Sequence, residues 1–306
     1  MNESTVDRYH HAFRTLAGTL PGAELPWLRG ARRSAFERFD KLRFPSTRQE
    51  DWKYTSVAPI DAREWHFTSP RGDDVDVSAI VDDLVLDKSA HRLVFVNGRH
   101  APRLSRTSDL PEGIFIGSLT RALREIPEHI EALVAHHAPH DGFEALNTAF
   151  LSDGYVLVLP PDCRLDAPVQ MLFVTEEGGL AIHPFNVVIA GRGARCTVIE
   201  QFVGVADDSY LTNTVTRIVV KEGADVEHCR IQQEARRAYL EELRAHLRAN
   251  EGSLSKDVRE RIEVNPLRAF DSDDEGTRRV MESAPTILER LEGEDAEHFA
   301  EVRELL

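Results

Sequence analysis

The sequence is poor in cysteine, and that scarcity removes one class of fold at once. Three cysteines in 306 residues cannot staple a chain of this size, so a disulfide-framed secreted scaffold is excluded. Lysine is nearly absent as well: Lys41, Lys53, Lys88, Lys221 and Lys256 are the whole set, and arginine supplies the other basic residues. With 37 basic against 52 acidic residues and a formal charge of −15, the chain lacks the cationic surplus that binds phosphate backbones or anionic membranes. No apolar run approaches membrane-spanning length, and the opening MNESTVDRYHHAF has no apolar signal region. A cytoplasmic location is therefore expected, without a membrane partner and with nucleic acid disfavoured. What is present is ordinary globular material, 42% hydrophobic and 29% charged, enough for a sizeable core and more than one domain.

Texture changes along the chain. Val6, Tyr9, Phe13, Leu16 and Leu20 recur at helical spacing. A second helix is predicted from Pro26 to Leu42, with proline where a helix start tolerates it. The polar stretch FPSTRQEDWKYTSV follows. HRLVFVNGRH reads as a strand closed by a turn at Asn97-Gly98, and a helix is predicted over 119–136. From Gly154 the runs GYVLVLPPDCRLDAPVQMLFV, FNVVIAGRGARCTVIEQFVG and YLTNTVTRIVVKEGADVEHCRIQQ alternate like strands with little helix between them. Gly193-Ala194 and Gly223-Ala224 each close one strand and open the next, as the corner of a β-solenoid rung would. After Glu234 everything reads as helix. Tyr239, Leu243 and Leu247 mark an apolar face. Ser255 is a predicted N-cap, Pro285 a helix start, and DAEHFAEVRELL a last helix.

Several patterns invite a chemical reading, and each has a plainer one. DSDDEGTRRVME puts Asp271, Asp273, Glu275, Gly276 and Glu282 at calcium-loop positions. Its fifth position is Glu and its eighth is Arg278, so a capped loop entering a helix is the better reading. HHAPHD offers His136, His137, His140 and Asp141 as transition-metal donors; solvated histidines at a helix end, where they suit the dipole, are favoured instead. His10-His11 is weaker still. Cys163, Cys196 and Cys229 are evenly spaced, but Cys196 and Cys229 fall at different distances after their corners, which points to structural thiols rather than a metal trio. AGRGARC has Gly191 and Gly193 but Cys196 in place of the third glycine, and strands on both sides, so it is no dinucleotide loop. Trp52 and Tyr54 sit among acidic neighbours, as packed anchors rather than base-stacking platforms. The residues alone yield no catalytic, cofactor-binding or metal-binding residue.

RQEDWKYTSV, LVFVNGR, ALNTAFLSDGYVL and GARCTVIEQFVG through GADVEHCRIQQE, in this order and spacing, resemble SufD-type members of the SufB/SufD family of iron–sulfur cluster assembly proteins. The resemblance covers residues 1–235. It implies an α+β fold: a helical N-terminal region, a right-handed parallel β-helix and a helical C-terminal region. It also implies a non-enzymatic scaffold without its own cofactor, with SufB and the ATPase SufC as partners. A complete member would continue its β-helix past Gln233, so the rungs that pair with SufB and the helices that bind SufC are expected to be missing, and no functional residue carries over.

Beyond the joint, RRAYLEELRAHL through NPLRAFDS to HFAEVRELL resembles the segment after motif 2 in bacterial-type histidyl-tRNA synthetases. The motif 2 arginine, the histidine-recognition loop and motif 3 have no counterpart, so amino-acid activation is not expected. The expected organisation is a helical region at 1–70, a mixed α/β region at 71–150, a truncated β-helix at 151–235 and an α-helical tail at 236–306. The expected role is a truncated SufD-like scaffold. The alternative is a histidyl-tRNA synthetase fragment or tRNA-contacting module.

Overall fold

The computed structural model describes residues 5–67, 77–86, 90–107, 110–205, 209–233, 237–263 and 265–285. It divides into two compact units, residues 1–76 with 85–234 and residues 77–84 with 235–306. The joint at Glu234 to Arg236 lies outside the described residues, as do the predicted helix after Pro285 and the segment DAEHFAEVRELL.

In chain order the elements are α1 (Thr5–Leu16), α2 (Pro26–Leu42), α3 (Ala58–Ala62) and α4 (Ser78–Asp83), then β1 (His91–Val96), β2 (Arg99–His100) and β3 (Phe115–Ser118). Next come α5 (Leu119–Glu125), α6 (Pro127–Val134) and α7 (Gly142–Phe150). The strands β4 (Tyr155–Leu159), β5 (Val169–Thr175), β6 (Ala181–Ile182), β7 (Phe185–Ala190), β8 (Arg195–Gly204), β9 (Leu211–Thr212), β10 (Val215–Val220) and β11 (Asp225–Gln233) follow. Three helices close the described chain: α8 (Arg237–Ala249), α9 (Lys256–Arg261) and α10 (Glu275–Met281). The single helix predicted over 119–136 is two. Pro127 clashes with a helical residue before it, and Ile126 leaves the helical region at φ −142, ψ 50, so the chain breaks and restarts with proline in the first turn.

The first unit is a mixed α+β structure whose sheets are mostly parallel. One sheet runs β11-β8-β5-β1-β2 and another β10-β7-β4-β3, with β6 beside β9. Parallel partners recur at a near-constant sequence distance. Val187 pairs with Val156 and Arg217, and Glu200 with Met171 and Arg230. A two-residue hairpin links β1 to β2, with Asn97 at φ 49 and Gly98 at φ 78, the left-handed pair such a turn needs. The corners stack as well. Asp162, Gly193 and Gly223 hold φ 59, 68 and 67, and Asp162 N donates to Arg192 O at 2.7 Å while Gly193 N donates to Glu222 O at 3.0 Å. The pattern of two Gly-Ala corners is therefore a set of three, with an aspartate, which tolerates this conformation, at the first.

Identical positions of successive layers meet inside. Phe95 stacks on Phe173 at 4.8 Å and Phe173 on Phe202 at 4.7 Å. Around them Leu157, Val169, Met171, Val188 and Val198 are fully buried. The other face of β4 and β7 is covered by helices, through Leu28, Leu119, Leu123 and Ile130 against Val156, Phe185 and Val187. A separate aromatic cluster, Tyr9, Phe36, Phe39 and Phe150, joins α1 and α2 to α7.

The second unit has its own core. Leu243 and Leu247 of α8 pack with Leu254, Val258, Ile262, Ala269 and Val280. Ser255 caps α9, accepting from Val258 N, and Arg261 reaches Asp83 of α4 at 4.0 Å.

The corners make a prediction of opposite signs. Gly193 has φ +68, and an added Cβ would meet Asp162 Oδ1 at 2.5 Å. Gly193→Ala is expected to destabilise by about 1–2 kcal/mol. At Gly30 in α2, a Cβ meets nothing within 4 Å, so Gly30→Ala is expected to stabilise by about 0.5–1 kcal/mol. Urea midpoints of the two variants should move in opposite directions.

Candidate functional site

The residues singled out by sequence do not gather at one place. In DSDDEG, Asp274 caps α10, its Oδ1 accepting from Thr277 N at 2.8 Å and Thr277 Oγ1 at 2.9 Å, and those two bonds hold its carboxyl below the usual range. The would-be fifth loop position, Glu275, is already the first residue of α10 and pairs with Arg279, so the stretch is a helix entry. Gly191 and Gly193 form a corner between β7 and β8. Trp52 stacks on Phe143 at 5.5 Å, a packed anchor, whereas Tyr54 is 85% exposed and packs as no anchor. His10 pairs with Asp40 at 2.8 Å and lies edge-on to Phe36. Cys163 and Cys196 both pack on the strand core, and burial pushes their thiols up, that of Cys196 to about 11. Cys229 is exposed. It pairs in register with Ile199, an odd step from Cys196, so it points to the opposite face and the three sulfurs do not converge.

The histidine run fares differently. His136 is exposed, but His137 and His140 come together with Glu144, a residue the sequence reading did not include. Their rings lie 5.2 Å apart, and His137 Nε2 is 3.0 Å from Glu144 Oε1. The first turn of α7 holds Glu144 in place. N-cap Asp141 Oδ1 accepts from Glu144 N at 2.8 Å, while Glu144 Oε2 accepts from His140 N at 2.6 Å. Arg217 of β10 also pairs with Glu144.

A second polar cluster lies inside the strands. Glu200 of β8 is fully buried. Its Oε1 accepts from Thr216 Oγ1 at 2.7 Å, Tyr155 Oη at 2.8 Å and Asn186 Nδ2 at 3.1 Å, and His228 Nε2 lies 3.5 Å away. These residues come from five strands, β4, β7, β8, β10 and β11. The layer repeat brings them together, which is why no contiguous motif announced them. Tyr155 is held protonated well above its ordinary range by burial and then by Glu200. Arg230 covers the outer face of Phe202, its guanidinium 4.5 Å from the ring centre. The cluster joins a carboxylate to a quarter-exposed imidazole at the last layer, an arrangement suited to holding a cation or passing a proton. Two further titratable groups are buried. His183 Nδ1 pairs with Asn213 Nδ2 at 3.1 Å, and burial drives its pKa to about 3. Asp153 accepts from Thr120 N and His100 N, yet burial outweighs these bonds and lifts it to about 6. Near the N-terminus a cleft of about 540 Å³ is lined by Tyr9, Phe39, Arg43, Ser46 and Asp61.

With that geometry in view, two family models cover the first unit. One described as the SufBD protein N-terminal region matches residues 3–171, and one described as the SUF system FeS cluster assembly SufBD core domain matches residues 173–257. The chain belongs to the SufBD family. It is 26% identical over 246 residues to an iron–sulfur cluster assembly SufBD family protein of Synechocystis, covering 77% of this chain and 54% of that protein. It is 25% identical over 223 residues to the chloroplastic protein ABCI7 of Arabidopsis thaliana, covering 70% of this chain and 46% of that one. The chain thus spans about half the length of these SufBD relatives. A separate similarity, 47% over 73 residues, is to the histidine–tRNA ligase of Halorhodospira halophila, covering 24% of this chain and 17% of the ligase. The core-domain match runs to residue 257, past the division of the units at Glu234 and Ala235. Leu243 and Leu247 of α8, which fall inside that match, are buried in the second unit's own core. No helix among the described residues is long and apolar enough to cross a membrane.

Glu200→Ala leaves three donors without their acceptor and is expected to cost about 3 kcal/mol or more, at roughly 1–3 kcal/mol per stranded group. Glu200→Gln keeps an oxygen there and is expected to cost about 1 kcal/mol; chemical denaturation of the pair tests the difference. The buried histidine also sets a pH dependence. His183 takes a proton at 6.5 when unfolded and only near 3 when folded, so it removes stability as pH falls from 6.5 towards 3. Asp153 is protonated near 6 when folded and 3.8 when unfolded, so it adds stability over 6 to 3.8. Asp153→Asn removes that offset, and unfolding free energy is expected to fall more steeply between pH 6 and 4 than in the parent, by up to about 1.4 kcal/mol per pH unit.

Proposed function

We propose that the first unit is a truncated SufD-type scaffold of iron–sulfur cluster assembly, with no enzymatic activity of its own. Its strand layers read as rungs of a right-handed parallel β-helix, one turn per thirty residues or so, over residues 151–235, after a helical region at 1–70 and a mixed region at 71–150. One observation carries the truncation. Ile218 and Val220 of β10 are 38% and 51% exposed, whereas Val188 and Ala190, their register partners one layer in, are 0% exposed. A further rung would cover them, and the next described elements after β11 are the helices α8, α9 and α10 instead. SufB and SufC are the partners the family reading implies, in a cytoplasmic setting, and the surfaces that bind them would lie on the missing rungs and helices.

Tagged chain expressed with SufC is expected to purify alone, while a full-length SufD-type relative retains SufC under the same conditions. Stoichiometric SufC on this chain would sink the truncation reading. A second reading rests on the 47% identity of the tail to a histidine–tRNA ligase: a catalytically incomplete synthetase fragment or tRNA-contacting module. Saturable binding of histidine tRNA in a gel-shift titration is expected to be absent, and its presence would favour the second reading.

A further inference from the structure

We propose that His137, His140 and Glu144 form a binding site for a divalent first-row transition-metal ion. The inference is independent of the family reading. Two imidazoles and one carboxylate suit zinc and its neighbours, whereas calcium and magnesium take oxygen donors. The candidate ligand atoms of the three residues all lie within 4.8 Å of one another. An ion with bonds of about 2.0–2.1 Å sets its ligands roughly 3.0–3.4 Å apart. His137 Nε2 and Glu144 Oε1, at 3.0 Å, already stand at that separation. His140, exposed at the surface, keeps a ring nitrogen within 4.8 Å of both.

The site is held rather than assembled. Glu144 is fixed by the N-cap of α7 and by Arg217. His137 Nε2 is out of solvent and makes no aligned hydrogen bond, despite its closeness to the carboxylate. The His137 and Glu144 side chains are 30% and 14% exposed, so an ion has a path in and water can fill its remaining positions. The histidine run alone supported nothing beyond solvated residues at a helix end. The third donor comes from the next helix. Arg217 competes with the ion for Glu144, so the site holds metal more weakly than a closed four-ligand structural site.

The test is calorimetric titration of the tag-free, chelator-treated chain with zinc chloride, with cobalt(II) absorption reporting imidazole ligation. One saturable equivalent is expected. His137→Gln and His140→Gln should each weaken it by about ten-fold or more, with circular dichroism unchanged, while His136→Gln leaves it as it was. Arg217→Gln should tighten binding several-fold by freeing Glu144. No saturable binding, or an affinity that survives His140→Gln, overturns the site. Weaker or equal binding in Arg217→Gln removes Glu144 from it.

Discussion

The first unit depends on one constraint: parallel strands must stay in register from layer to layer. In parallel pairs, side chains at paired positions share a face. A shift of one residue would turn every interior side chain outward. The stacked Phe95, Phe173 and Phe202 fall at paired positions in β1, β5 and β8. Each buries a large apolar area and gains by ring stacking. A slipped register would lose all three contacts together. The left-handed corners at Asp162, Gly193 and Gly223 hold the same register from the turns.

That constraint also produces the polar cluster. Once Val187 sits beside Val156 and Arg217, Asn186, Tyr155 and Thr216 fall close together on the interior face, and Glu200 supplies the acceptor they share. A buried carboxylate is costly unless its partners are all in place, so the cluster resists slippage as the phenylalanines do. Arg230 extends the aromatic stack by a cation over Phe202. The guanidinium supplies the covering that a fourth ring would give, while remaining compatible with the solvent at an outer layer.

Local features were legible in the sequence, and layered ones were not. Pro26, the Asn97-Gly98 turn and the Ser255 cap act through neighbours one to four residues away, so composition announced them. The break at Ile126 was equally local and was missed because the apolar period continues across Pro127. Asp162 hid the first corner because aspartate is an uncommon residue for that conformation. Glu200 and His228 meet only through the layer repeat, and no short motif encodes a repeat of that length. Glu144 lies four residues after His140 and was within reach of a helix-turn reading, but its part in the cluster depends on the turn between α6 and α7.

The change from strand to helix after β11 has a packing logic of its own. To continue the sheet, residues after Gln233 would need alternating apolar side chains to cover Ile218 and Val220. Burying those two fully would gain roughly 1–3 kcal/mol, given that they are about half exposed and that a full burial is worth about 1.5–3 kcal/mol each. Leu243 and Leu247 instead stand four apart, a helical spacing that places both on one face, and they meet Leu254, Val258 and Ile262 in a core that local chain supplies. Five buried aliphatic side chains contribute more than the uncovered edge forfeits, at the same worth per residue. Contacts close in sequence also cost less chain entropy to form than a distant layer does. The helical periodicity of the last segment therefore prevails over the template that the strand edge presents, and the chain folds as two units.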